Sequence, residues 1–280
     1  MKFTAALLAL AGLAAAFPAP ESIDLGDGVK LVRRAPRSDT RRAAHRKTNP
    51  KIPAPLEEGA LGAEAATNET QVSYSTNWAG AVLVGSGYKS VTGTFVVPTP
   101  KRPSGSSSST TYSASAWVGI DGDTCQTAIL QTGVDFNIQG STVSYDAWYE
   151  WYPEYAYTFT GFSIAAGNTI KVTATASSTS AGSVTITNVS TGKTVTHSFS
   201  GESGKLCETN AEWIVEDFEE NGSLVPFANF GTVTFTSASV TTTGGSTLGV
   251  SGAEILDIKQ GSTVLTDCSA SGSSVTCTYV

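Results

Sequence analysis

The stretch TIKVTATASS, residues 169–178, puts Ile170, Val172 and Ala174 on one side of an extended chain and Lys171, Thr173 and Thr175 on the other. A period of two is the signature of a strand with one buried face. Residues 183–199, SVTITNVSTGKTVTHSF, continue the alternation on either side of a Ser-Thr-Gly turn, and residues 231–243, GTVTFTSASVTTT, and 262–280, STVLTDCSASGSSVTCTYV, repeat it. From about Gln71 onward the chain is rich in Thr, Val, Ser, Tyr and Trp, with Gly, Asn and Ser between the segments, which is strand texture. Many short alternating strands joined by tight turns predict an all-β fold, a β-sandwich of two antiparallel sheets packed face to face. No internal repeat points to a propeller or solenoid.

The remainder of the 280 residues has a different character. Residues 1–19 combine one early positive charge with a short apolar run and small residues, the pattern of a signal peptide, so the protein is expected to be secreted and extracellular. Residues 20–70 read as a basic pro-segment and linker, and residues 71–280 as the β-sandwich domain. Ten of the 17 Lys and Arg residues fall in positions 1–51, against four acids, a net of +6, whereas residues 71–280 carry seven bases and 16 acids, a net of −9. An acidic domain repels nucleic acid and anionic membranes, so neither is an expected partner. The opposed charges also suggest a leader held by the domain near neutral pH and released in acid. The segment 31–55 shows no strand or helix periodicity, and its dibasic pairs Arg33-Arg34, Arg41-Arg42 and Arg46-Lys47 offer processing sites.

Four cysteines in an exported chain imply two disulfides in one of three connectivities. Cys268 and Cys277 flank a turn-like SASGSSVT, which favours that local pair and leaves Cys125 with Cys207. Sequons begin at Asn68, Asn188 and Asn221. The two histidines are His45, in the leader, and His197, read as a surface strand residue without a nucleophile motif. No cluster has zinc-ligand spacing and no glycine loop suits a phosphate, so neither a metal nor a cofactor is expected.

Carboxylates, amides and aromatics remain, concentrated in SAWVGIDGDTCQTAILQTGVDF, YDAWYEWYPEYAY and CETNAEWIVEDFEENG. Read as a strand, the third segment puts Glu212, Ile214, Glu216 and Phe218 on one face. Read as a short solvated helix, it starts at a capping box of Thr209 and Glu212 and stops at Asn221-Gly222. Periodicity alone leaves these two open, and the solvated reading makes Glu212 and Glu219 dispensable.

TNWAGAVLVGSGY, AWVGIDGDTCQTAILQTGVDF, YDAWYEWYP, LCETNAEWIVEDFEE and VPFANFG together resemble the fungal glutamic endopeptidases, the eqolisins, from about Ser75 to Val280. The resemblance implies a concanavalin A/jelly-roll-like sandwich with its active site on the concave sheet. It also implies a strand at 211–218, a catalytic glutamate at Glu216 and glutamine at Gln131, and cleft positions at Trp78, Trp117, Asp121 and Glu150. Cys125 and Cys207 match a family disulfide. Extra cysteines that some members carry after EDFEE are replaced here by NGSLVPF. A monomer acting on protein or peptide substrates is expected. The rival readings are a β-sandwich glycoside hydrolase using Glu150 and Glu216, which gives Gln131 no role, and a non-catalytic lectin-like module.

Overall fold

The computed structural model describes residues 72–220 and 223–280, and the backbone of residues 22–24 and 30–33. The expected signal peptide, most of the expected pro-segment and linker, and the sequons at Asn68 and Asn221 lie outside the described residues. Two short strands come first, β1 (Ser22–Asp24) and β2 (Lys30–Arg33). They are followed by β3 (Val72–Ser75), β4 (Trp78–Val84), β5 (Tyr88–Val96), β6 (Thr111–Ile120), β7 (Ile129–Gln139), β8 (Thr142–Tyr152) and β9 (Tyr157–Thr160). Next are β10 (Thr169–Ser178), β11 (Ala181–Asn188), β12 (Lys193–Ser200), β13 (Asn210–Glu216), β14 (Glu219–Glu220) and β15 (Ser223–Leu224). The chain closes with β16 (Thr232–Thr242), β17 (Thr247–Leu248), β18 (Glu254–Gln260), β19 (Thr263–Val264), β20 (Thr266–Ser271) and β21 (Ser274–Tyr279).

The larger sheet has 11 strands in the order β1-β2-β9-β8-β7-β6-β13-β4-β18-β19, with β3 added parallel to β18. The second sheet has eight, β12-β11-β10-β5-β16-β21-β20, with β17 on β16. In β10 the alternation read from the sequence is realised: Ile170, Val172 and Ala174 are buried against the larger sheet while Lys171 is exposed. The sandwich core is apolar and aromatic. Phe95 of β5 packs edge-on against Phe136 of β7 and Phe235 of β16, at 6.2 and 5.3 Å between ring centroids, and Trp213 of β13 donates Nε1–H to Thr92 O across the layers at 2.7 Å. Burying an indole is favourable only when its N–H finds such an acceptor.

The acidic stretch is a strand. β13 lies between β4 and β6, antiparallel to both, with Glu212 opposite Val82 and Gly119, and Glu216 opposite Trp78 and Ser115. Ala211, Trp213 and Val215 enter the sandwich core, and Glu212, Ile214 and Glu216 take the opposite face. All seven residues of β13 are buried, so the solvated-face reading of Glu212 fails, and Glu219 is only 7% exposed. Thr209 caps no helix, since its N–H and hydroxyl both donate to Asp121 Oδ1.

Three further expectations change. Residues 20–70 do contain strands: β2 pairs β9 with Leu31 opposite Phe159, extending the larger sheet at its edge. His197 lies on β12 but is half-buried, its ring stacked on Tyr149 at 4.2 Å, and burial lowers its pKa. The Asn188 side chain is fully buried and donates to Ser163 O and Asn168 Oδ1, so that sequon offers no accessible amide. Both disulfides have the expected pairing, Cys125–Cys207 and Cys268–Cys277.

Candidate active site

The outer face of the larger sheet is assembled by register. In one row Glu212, Gly119, Gln131 and Glu150 lie side by side on β13, β6, β7 and β8. The next row on this face holds Ile214, Trp117, Gly133 and Trp148, and the one beyond it Glu216, Ser115, Asp135 and Asp146. Glycine at 133 is a packing requirement, because a Cβ there would stand 2.4 Å from Trp117 Cβ. The Trp117 indole is thereby seated between the rows of Gln131 and Glu216. Trp78, on β4, meets it edge-on at 4.9 Å, and Val82, Ile129, Trp148, Tyr152, Ile214 and Leu256 complete an apolar cluster on this face.

Glu216 is held at both oxygens. Trp117 donates Nε1–H to Oε2 at 2.8 Å, and Asn77 donates Nδ2–H to Oε1 at 3.5 Å. Gln131 donates Nε2–H to Glu150 Oε2 at 3.3 Å, while its own Oε1 is buried without a hydrogen-bond donor. That orphan acceptor matters, because a buried carbonyl without a donor carries a free-energy cost unless something else occupies the position. Both residues are about 1% exposed. Around Glu216 the field is acidic. Burial pushes the Asp217 carboxyl well above its usual range, with Glu216 and Glu219 adding to the shift and the Gln260 hydrogen bond opposing it. Glu219 is raised by burial and then by Glu216.

Five of the residues singled out from the sequence, Trp78, Trp117, Gln131, Glu150 and Glu216, come together on this face. Asp121 has a different task. Its fully buried carboxylate accepts the backbone N–H groups of Cys207, Glu208, Thr209 and Asn210 at 2.7 to 3.1 Å. It sits at φ 67°, in the left-handed region, where the turn after β6 brings it over the segment that leads into β13. The Cys125–Cys207 bond ties the same two segments together. Asp121 therefore positions the strand that carries Glu216 and has little acceptor capacity left for a substrate.

Asn77 and Ser115 were not singled out from the sequence. Asn77 stands beside Trp78 in the TNWAG motif, and Ser115 accepts Trp148 Nε1–H at 3.1 Å. A period-two count along 115, 117 and 119 was the available signal for Ser115, but nothing local marks Asn77 as a partner of a residue 139 positions away.

A carboxylate held at both oxygens, a carboxamide with a free acceptor and a wall of indoles suit a hydrolase that works by activating water. Residues 76–279 match the model of the peptidase A4 family. Aspergillopepsin-2 of Aspergillus niger is 54% identical over 263 residues, covering 89% of this chain and 92% of that protein. Scytalidopepsin B of Scytalidium lignicola is 48% identical over 221 residues, 76% of this chain and 81% of that one. Among solved structures, scytalido-glutamic peptidase with a transition state analog inhibitor superposes with a TM-score of 0.67 at 47% identity, over 73% of this chain and 98% of that chain. Aspergilloglutamic peptidase from Aspergillus niger does so with a TM-score of 0.59 at 64% identity, over 60% of this chain and 99% of that one. The chain belongs to the peptidase A4 family and is a glutamic endopeptidase. The glycoside hydrolase and lectin-like readings fall with that finding, and Glu150, one of the two carboxylates of the glycosidase reading, accepts from Gln131.

Proposed function

We propose that Glu216 and Gln131 are the catalytic pair of this secreted acid endopeptidase. Glu216 takes a proton from a bound water as its oxygen bonds to the scissile carbonyl carbon. Gln131 Oε1 accepts the second hydrogen of that water, and an Nε2–H of Gln131 donates to the tetrahedral oxyanion. Glu216 then returns the proton to the amide nitrogen as the C–N bond breaks. Trp78 and Trp117 wall the intermediate from bulk water, and Glu150 fixes the Gln131 amide by accepting from it. The observation that carries this reading is the buried Oε1 of Gln131 without a donor, on the same face as a Glu216 gripped by Trp117 and Asn77.

The test is release of peptides from denatured protein at pH about 3 to 4. Gln131→Ala is expected to lose about 10² to 10³ in kcat, the usual effect of removing an oxyanion donor, and Glu216→Gln more, with the fold retained in both. Wild-type turnover by folded Glu216→Gln protein overturns the assignment.

Residues 20–70 act in this reading as a pro-segment that the acidic domain retains near neutral pH. The edge pairing of β2 with β9 tethers one end of it through main-chain hydrogen bonds. The positive charge of its residues 30–51, nine bases against one acid, meets carboxylates that are protonated in acid, where Arg and Lys stay charged and the attraction fails. A peptide of residues 28–52 should bind the isolated domain at pH about 6 in low salt and more weakly at pH about 3 or high salt. Equal binding in all three conditions rules the electrostatic part out.

A further inference from the structure

Glu212 has no part in the mechanism above, yet it is fully buried on the same face of β13 as Glu216, and neither of its carboxyl oxygens has a hydrogen-bond donor. Its Oε1 lies over Gly119, 2.9 Å from the position a Cβ on that glycine would take, and Trp117 Cζ3 is also 2.9 Å from that position. Gly119 is opposite Glu212 on one side and Gln131 on the other. Cβ positions of opposed residues are about 5 Å apart, so the missing side chain opens a window through which the two long side chains can meet. On the two sides of that window are three buried acceptor oxygens, both from Glu212 and the Oε1 of Gln131, with no donor among them. One proton on Glu212 supplies the donor.

We propose that Glu212 is a positioning residue for Gln131: its carboxylic acid O–H donates through the Gly119 window to Gln131 Oε1, directly or through one water. This deepens the proposed function and rests on it. The amide of Gln131 is then held at both ends, Nε2 by the acceptor Glu150 and Oε1 by the donor Glu212, and the flipped orientation would face an N–H toward the donor and a C=O toward an acceptor. The second lone pair of Oε1 stays available for the attacking water. The surroundings favour the neutral acid. Val82 flanks Glu212 on β4, Asp121 and Asp123 lie near it in the loop after β6, and Glu150 and Glu254 stand farther along the same row. Burial and then the two aspartates push its pKa well above the carboxylate range.

The first test is spectroscopic and needs no turnover. At pH about 6, where ordinary carboxyls are ionised, an infrared difference spectrum of wild type minus Glu212→Gln should show the C=O stretch of one protonated carboxyl. That band should shift when the same pair of spectra is taken in a Gln131→Ala background. Absence of the band, or a band indifferent to Gln131, overturns the proposal. The second test separates positioning from structure. Glu212→Gln, which keeps a donor, should retain most of kcat, while Glu212→Leu should lose up to about 100-fold in kcat at nearly constant KM. Equal losses in both, or no loss in the leucine variant, count against it, and if that variant does not fold the infrared arm decides alone. Gln131→Ala with wild-type turnover would instead overturn the catalytic pair while leaving the infrared coupling in place, so the two failures are distinguishable.

Discussion

At the scale of single residues, the same side-chain type has been placed in three electrostatic situations. Glu216 is gripped by neutral donors, Glu212 is buried without any, and Asp121 is surrounded by backbone N–H groups. Only the last is purely structural: removing a carboxylate that accepts from four main-chain amides, one buried and three part-buried, leaves all of them without that partner. Asp121→Ala is accordingly expected to lower the unfolding free energy by about 3 kcal/mol or more, read from urea denaturation in acid, with kcat per folded molecule much less affected than in Gln131→Ala. A loss of kcat at undiminished stability would return Asp121 to the substrate cleft. The motif context points to Glu216 and Gln131 as the proposed pair. It could not show what Asp121 does, because the partners of that carboxylate are main-chain amides some 86 positions away, and backbone groups leave no mark in a sequence.

At the scale of elements, β10 and β11 were legible because each buries one face against the other sheet and shows the other to water, so polarity alternates with position. β13 was ambiguous for the opposite reason. As a central strand buried on both faces it loses the polar and apolar alternation that marks a half-buried strand, and its two carboxylates lie on the face of the candidate site. What makes it a strand is tertiary: β4 and β6 take up its backbone groups on both sides, which a helix of seven residues could not reproduce. The capping-box signal at Thr209 was real chemistry with another partner, Asp121. The short hairpin of β20 and β21 was readable because Cys268 and Cys277 oppose each other across its turn. The strand at Lys30–Arg33 was hidden in a basic run and has a place only because β9 presents an open sheet edge.

At the scale of the whole molecule, the distribution of buried acids sets the pH at which the fold is most stable. Glu212, Asp217, Glu219 and Asp257 all have pKa values raised in the folded protein, each chiefly by burial, and that of Asp257 is pushed up to about 6 from 3.8. A carboxyl with a raised folded pKa binds its proton more tightly folded than unfolded, so its favourable linkage is complete below the unfolded value and is lost as pH rises toward the folded one. For Asp257 the window runs from 3.8 to about 6, and Glu212 and Asp217, raised chiefly by burial, contribute in the same direction. The ionised domain, with a net of −9 over residues 71–280, adds self-repulsion of the same sign. Stability should therefore be greatest in acid and fall steadily toward neutrality, in contrast to proteins whose carboxylates are paired in ion bridges and fail in acid. Urea midpoints of residues 71–280, measured from pH about 3 to about 7, should fall monotonically, and Asp257→Asn should flatten the part of the curve between about 4 and about 6. A midpoint that is constant, or that rises through this range, would mean that these carboxyls reach water or cationic partners in the folded protein, and the neutral state assigned to Glu212 would lose its physical basis as well.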